Sequence, residues 1–569
     1  MSLRNHQVRA AADFYVRARQ RAQDVQAVYL APPVLSDQQA VLVWDHERRK
    51  AEAAMGTVWQ MPCRAGKTRT ALTVLYHWGT WLSEWGIAPA IQQMWAHPHL
   101  VLVPSDLVRD GPWVQDWEEV APPWETRVSI RPIPTMSQER MITALHSLRP
   151  GDVAVMTYHT LLARQDLVAA VPWCIIVADE VHRLKNPRAD WTQASYKLQS
   201  VFRLGMSATP FTNYVHELRE VLAWAQGWTV GDRRNSHIWP DSYHWKENWC
   251  NWDYVPTRNG YTYRRIPAGA AYPGHLYNLL RAEVLFSAPR EEVSDAPDPI
   301  IHALPVPLSA KQAEVYERLK AGVLRWVKQG KIDAIDTGPV IAQFGYLFQL
   351  CADARQLELS IANKRGNALS YTNIPSTFTE NWALADKSSK LKALLWVLDK
   401  VAKNGEQVLV LTGYARTANI LTQDLIRLGY NVEAITGDTD DRPGVVSRFA
   451  SGTTRVVVCT RAAWEGISLR APYAVLYGFV DHTPGLVKQA LMRAWSMFDC
   501  EPVEVFDIYA PGTVEEWNRL RLAAKDRFSG VMTNGKEGAT FSSVGDISAA
   551  LEGKLTRVNL KGDNGGTNL

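Results

Sequence analysis

Six short runs of apolar, largely β-branched residues punctuate this chain, at 100–103, 153–156, 174–178, 407–411, 456–458 and 474–477. They alternate with segments of helical period. Inner strands of a parallel sheet are buried on both faces, so they read as unbroken apolar runs joined through crossover helices. This feature constrains the fold most: it predicts an α/β chain built on parallel sheets. At 569 residues the chain exceeds what one core serves, so two to four domains are expected.

Composition narrows the class. Hydrophobic content of 46% with 21% charge is that of a soluble globular protein. The first thirty residues hold no apolar h-region, and no run of 18 apolar residues occurs, so neither a signal peptide nor a membrane span is expected. Six cysteines lie far apart with no CxxC, which predicts neither a zinc module nor a disulfide framework and fits a reducing, cytoplasmic setting. A net charge of +4 permits nucleic-acid binding without arguing for it.

Two stretches carry chemistry. In "GTVWQMPCRAGKTRTALTVLYHW", a strand-like run and a helix-like run flank Gly66, Lys67 and Thr68. A turn from strand into helix aims backbone N–H groups at one spot, at the positive end of the helix dipole. Lys67 adds a cation for outer phosphates and Thr68 a hydroxyl for Mg²⁺. The full phosphate-loop pattern wants glycine where this chain has Met61, so an ordinary loop lysine stays open on this stretch alone. In "CIIVADEVHRLKNP", an apolar run ends on Asp179 and Glu180. Open α/β sheets bind ligands at the carboxyl ends of their strands. There Asp179 is expected to hold Mg²⁺ through water, and Glu180 to orient and deprotonate the attacking water. A surface acidic turn is disfavoured by the apolar flank. "FRLGMSATPFTNYVHELREVL" places Ser207 and Thr209 after a further apolar segment, which alone also reads as a Ser/Thr turn.

Taken in order, these pieces resemble the Swi/Snf family of helicase superfamily two. "DEVHRLKN" is similar to the family's extended acidic box, and "SATPFTNYVHEL" to its motif III with trailing Asn213, Glu217 and Leu218. "LVLVPSDLVRDGPWVQDWEEVAP" resembles motif Ia and the Trp-containing helix after it, and "DVAVMTYHTLL" the strand ending in Thr157-Tyr158. "LSDQQAVLVW" resembles the Q motif, with Gln39 as adenine contact. Later segments match motif IV ("QVLVLTGYARTANIL"), the stretch containing Arg442, motif V ("VVVCTRAAWEGISLRAPYAVLYG") and motif VI ("HTPGLVKQALMRAWSM"). The resemblance covers residues 33–225 and 300–525.

It implies two RecA-like parallel-sheet lobes with helical and aromatic insertions between them, ATP and Mg²⁺ in the cleft, and double-stranded or branched DNA as partner. It implies catalytic roles for Lys67, Asp179, Glu180, Gln489 and Arg493, and nucleotide contacts from Gln39, Gly66, Lys67, Thr68 and Gly466. Thr68 and Asp179 are the implied metal residues. Pro104, Ser105, Thr157, Ser207, Thr209, Arg461 and Trp464 are implied to couple to DNA. The implied domains are a basic helix (1–30), lobe 1 (31–225), a Trp-rich insertion (226–300), a helical bridge (301–385), lobe 2 (386–530) and a partly disordered tail (531–569). Binding through backbone phosphates is then salt-sensitive and sequence-tolerant. A compact motor of this kind points to a bacterial or viral source.

Departures from the pattern matter. Motif VI usually carries Gln, Arg and Arg on one helix face, and here the third is Ser496. An arginine finger is worth on the order of 10³–10⁵ in rate. Either Arg493 suffices, Arg461 or Arg470 substitutes, or hydrolysis is slow. Arg64 stands where glycine is usual. Trp464 and Ser468 replace glycine and asparagine; Trp464 either stacks on a base or packs between lobes. The arginines of 1–30 read as a solvated helix face ahead of a phosphate-contacting arm. Trp239, Trp245, Trp249 and Trp252, interleaved with Arg233, Arg234, Arg264 and Arg265, fit a nucleic-acid surface or a small aromatic core equally. His237, His244 and Cys250 match no zinc spacing, so no metal is expected there. Three functions stand: a double-stranded DNA translocase, a nucleotide-gated DNA clamp that scarcely hydrolyses, and an RNA helicase, against which "HRLKN" and "PFTN" argue.

Overall fold

The structure is a computed structural model. It describes residues 3–30, 55–62, 65–104, 108, 111–121, 128–208, 215–227, 242–256, 263–288, 293, 297–328, 338–357, 378–402, 405–460, 469–478, 487, 490, 491, 494, 501–520 and 522. The chain divides into two compact units, the first drawn from 1–250 and 270–294, the second from 251–269 and 295–528.

The first unit is a seven-stranded sheet. Its strands are β1 (Met55–Gln60), β2 (His99–Val103), β3 (Ile130–Pro132), β4 (Val153–Thr157), β5 (Trp173–Asp179), β6 (Ser200–Ser207) and β9 (Leu285–Ser287). They lie in the order β3-β4-β2-β5-β6-β1-β9, every neighbouring pair parallel. The centre of the sheet is fully buried, as the apolar runs require: β2 and β4 are buried at every position. Parallel register brings the carboxyl ends onto one edge. Val103 pairs with Thr157, Asp179 with Met206, and Gln60 with Ser207.

β7 (Cys250–Pro256) and β8 (Tyr263–Ala270) pair in a separate two-stranded sheet. The second unit has six strands: β10 (Ile300–Pro305), β11 (Val408–Leu411), β12 (Val432–Ile435), β13 (Val456–Cys459), β14 (Tyr473–Tyr477) and β15 (Glu504–Tyr509). The order is β10-β15-β14-β11-β13-β12, again all parallel. Leu391, Leu394 and Leu398 give helix Ser389–Val401 one apolar face, set against Val410, Val458 and Val475. All six runs read as strands in the sequence are strands here.

Three segments read as appendages are built into the units. Helix Asn5–Leu30 buries Ala10, Phe14, Ala18, Ala22 and Val25, a stripe at helical spacing, and Phe14 meets the rings of Trp59, Trp78 and Phe202. Arg4, Arg9 and Arg19 are exposed, as a solvated face requires, and two arginines depart from it. Arg21 is buried, and Arg17 donates to the carbonyls of Arg281 and Glu283 at the C-terminus of helix Pro273–Glu283, where carbonyls lack intrahelical partners. The Trp-rich insertion supplies β9, and it fully buries Trp245, whose indole donates to the Val215 carbonyl at 3.3 Å. Trp252 stacks under Arg265 at 4.2 Å. Helices Ala310–Lys328 and Gly338–Ala352, read as a bridge, share a core with Val514.

Candidate active site

The loop between β1 and helix Lys67–Glu84 is pinned at both ends. Met61, standing where glycine was wanted, is fully buried, and its N–H donates to the Ser207 carbonyl at 3.2 Å. The missing glycine is thus explained: this position is sheet core, not phosphate cradle. Gly66 caps the helix with φ 75°, ψ 28° and no side-chain cap, so the first N–H groups face outward without a partner from their own cap. Left-handed backbone at that point favours glycine. Lys67 and Thr68 follow on the first turn, both partly exposed. The Lys67 ammonium donates to the Met61 and Pro62 carbonyls at 3.2 and 2.9 Å, which keeps it over the loop.

Across the same edge, β5 ends at Asp179. Glu180 follows with φ 50°, the one non-glycine at positive φ among the described residues. Such strain marks positions held by their surroundings. The holding is visible. Ser207 at the end of β6 donates its hydroxyl to Glu180 Oε2 at 3.0 Å, His182 Nδ1 stands 3.3 Å from the same oxygen, and His182 and Ser207 approach to 3.1 Å. Asp179 Oδ1 accepts the Glu180 N–H at 3.0 Å, Oδ2 accepts the Trp113 indole N–H at 3.3 Å, and its carbonyl accepts the Tyr158 hydroxyl at 2.8 Å.

The two carboxyls differ electrically. Burial and the neighbouring Glu180 charge raise Asp179 above the ordinary carboxylate range, against the opposing pull of Lys67. Burial also lifts Glu180, but the His182 hydrogen bond and charge, Lys67 and Ser207 outweigh it and hold Glu180 low and ionised. Lys67 acts on both acids, so the loop cation and the acid pair share one site. Lys185 pairs with Glu217 at 3.3 Å, tying "HRLKN" to "VHEL".

Of the expected site residues, Gly66, Lys67, Thr68, Pro104, Thr157, Asp179, Glu180 and Ser207 lie at the carboxyl edge of the first sheet. Thr157 caps helix Tyr158–Ala163, accepting from the Thr160 N–H. Gln39, Ser105, Thr209, Arg461, Trp464, Gly466, Gln489, Arg493 and Ser496 lie outside the described residues. Residues not expected also appear. His6 Nε2 donates to the Ala65 carbonyl at 2.8 Å and the Gln7 amide to the Gly66 carbonyl at 3.2 Å, from the first turn of helix Asn5–Leu30. The signal was a polar "NHQ" just ahead of the apolar stripe, but nothing local ties it to residue 66.

The donor set suits magnesium and a nucleotide. Mg²⁺ takes hard oxygen ligands, and the Thr68 hydroxyl and Asp179 carboxylate are such groups. The space over Gly66 is so close that a Cβ there would stand 1.9 Å from Gln7 Nε2.

The chain matches the SNF2-related domain over residues 38–357, more than half its length, and the helicase conserved C-terminal domain over 386–497. It belongs to the SNF2-related family of helicase superfamily two. The two sheets are the family's RecA-like lobes. Among curated relatives of this SNF2-family chain, SWI/SNF-related matrix-associated actin-dependent regulator of chromatin subfamily A member 1 of Mus musculus is 23% identical over 448 residues, covering 76% of this chain and 38% of the relative. YwqA of Bacillus subtilis (strain 168) is 23% identical over 435 residues, 75% and 42%. DNA repair and recombination protein RAD54B of Gallus gallus is 23% identical over 466 residues, 76% and 48%. The chain spans less than half the length of each. A solved SWI2/SNF2 ATPase core of Sulfolobus solfataricus in complex with dsDNA covers 94% of both chains at 16% identity, with a TM-score of 0.35, a likeness too loose to argue from. No helix among the described residues is long and apolar enough to cross a membrane.

Proposed function

We propose that this SNF2-family chain hydrolyses ATP to move along double-stranded DNA, remodelling branched DNA or DNA–protein complexes. One observation carries the reading: the Gly66–Thr68 turn and the Asp179–Glu180 pair lie on the same carboxyl edge of the first sheet, with Glu180 held at φ 50° by contacts from Ser207 and His182 to its carboxylate. Lys67 binds the outer phosphates, and the N–H groups after Gly66 cradle them. Thr68 and Asp179 would hold Mg²⁺, which when bound neutralises charge on the phosphate oxygens. Glu180, fixed by His182 and Ser207, orients the attacking water and accepts its proton. Gln489 and Arg493 are assigned to the γ-phosphate by the family resemblance. Pro104, Ser105, Thr209, Arg461 and Trp464 meet the DNA backbone, and the buried Thr157 and Ser207 couple that contact to the acid pair from within the lobe. Relatives named for chromatin regulation and for DNA repair and recombination support DNA as the track.

Ser496, in place of the usual second arginine, favours one other reading, a nucleotide-gated clamp that scarcely hydrolyses. Lys67→Ala separates activity from contamination. The expected result is a turnover loss on the order of 10²–10³, the scale for removing one preorganised donor to the reacting group, with an unchanged thermal melt. A variant that keeps its DNA-stimulated hydrolysis would contradict the proposal.

A further inference from the structure

Helix Pro112–Val120 touches both walls of the proposed nucleotide site and belongs to neither. Trp113, on its first turn and buried, donates its indole N–H to Asp179 Oδ2 at 3.3 Å. One turn on, Asp116 and Glu119 pair with Arg69, two residues past Lys67. Trp117 then meets the ring of Tyr76 farther along helix Lys67–Glu84, centroids 6.1 Å apart. The helix is thus strapped to the phosphate-loop helix by charge and ring contact, and to the end of β5 by one hydrogen bond.

That bond has a particular geometry. Asp179 Oδ1 is already oriented by the Glu180 N–H, so Trp113 supplies the second oxygen's partner. An ionised carboxylate accepts about four hydrogen bonds. With one taken on each oxygen, the plane is fixed and a lone pair on each stays open. The Tyr158 hydroxyl holds the same residue's carbonyl from β4's side of the sheet.

We propose that Trp113 is the positioning residue of the metal site: its indole N–H sets the rotamer of the Asp179 carboxylate so that Thr68 and Asp179 present oxygens to one divalent cation. The inference rests on the reading of Asp179 as metal carboxylate. Partners that orient a metal ligand typically account for ten- to a hundred-fold in metal affinity.

The test is Mn²⁺ binding by electron paramagnetic resonance on the full chain with a non-hydrolysable ATP analogue. Four proteins are compared: wild type, Trp113→Phe, Trp117→Phe and Asp179→Asn. Trp113→Phe is expected to weaken Mn²⁺ by about ten-fold or more, while the analogue without metal binds as before. Trp117→Phe loses ring packing and is expected to lower the melting temperature with Mn²⁺ affinity kept. Mn²⁺ affinity in Trp113→Phe within two-fold of wild type, or an equal loss in Trp117→Phe, overturns the inference. Asp179→Asn separates the two layers. If it weakens Mn²⁺ and Trp113→Phe does not, the positioning role alone fails; if it leaves Mn²⁺ unchanged, the metal reading fails and the inference with it. Should Trp113→Phe not fold, benzothienylalanine at position 113 keeps the ring shape, removes only the N–H, and is read by the same two outcomes.

Discussion

Glu180 sits in left-handed backbone that costs an L-residue about 1–2 kcal/mol, and it is kept there by a hydroxyl and an imidazole on its own carboxylate. The strain lies beside Asp179, where orientation has chemical value. Gly66 poses the same demand differently, since its φ of 75° comes with Gln7 packed over the missing side chain. Gly66→Ala is expected to weaken binding of a fluorescent ATP analogue, through backbone strain of order 1–3 kcal/mol and the clash with Gln7. Adding Gln7→Ala removes the clash alone, so binding stays weak in the double variant. Full recovery there would show that φ is not what the loop requires. At this scale the chemistry-bearing residues were legible. Lys67, Thr68, Asp179 and Glu180 stand out by type and by their place after an apolar run, and all four lie at the carboxyl edge of the first sheet. Gln7, His6, Trp113 and Tyr158 were not, because each takes its role from a partner far along the chain. Gln39, expected as the adenine contact, lies outside the described residues, and Gln7 touches the loop unannounced.

The inner strands were legible as elements for the reason that makes them inner. β2, β4, β5, β11, β13 and β14 are apolar on both faces, and no other element has that signature at that length. The edge strands β9 and β10 were not. β10 exposes Ile300 and Ile301 and shows no buried face to read, and β9 has three residues inside a segment dominated by tryptophan. The N-terminal helix was legible as a helix but not as core, since its arginines draw the eye to solvent while its alanines face the sheet. Phe14 tests that placement. With 1% exposure among three aromatic rings, Phe14→Ala is expected to destabilise by about 3–5 kcal/mol, seen as a lower denaturant midpoint. A shift below about 1 kcal/mol, the scale of surface changes, would show the helix is not part of the lobe's core.

Two parallel sheets in one chain, each with its own core, are what a SNF2-family motor needs from its fold. The first sheet gathers the Gly66–Thr68 turn and the acid pair on one edge, and the proposed mechanism assigns the arginines to the second lobe. Ser496 leaves open which arginine acts, and the answer lies in turnover rather than in fold. The decisive measurement is steady-state ATP hydrolysis without nucleic acid, then with duplex DNA, single-stranded DNA and RNA, each beside Lys67→Ala. The account predicts turnover highest on duplex DNA and lost in the variant. Near-zero turnover with every nucleic acid despite measurable ATP binding would contradict it and favour the clamp, and stronger stimulation by RNA than by duplex DNA would contradict the choice of track.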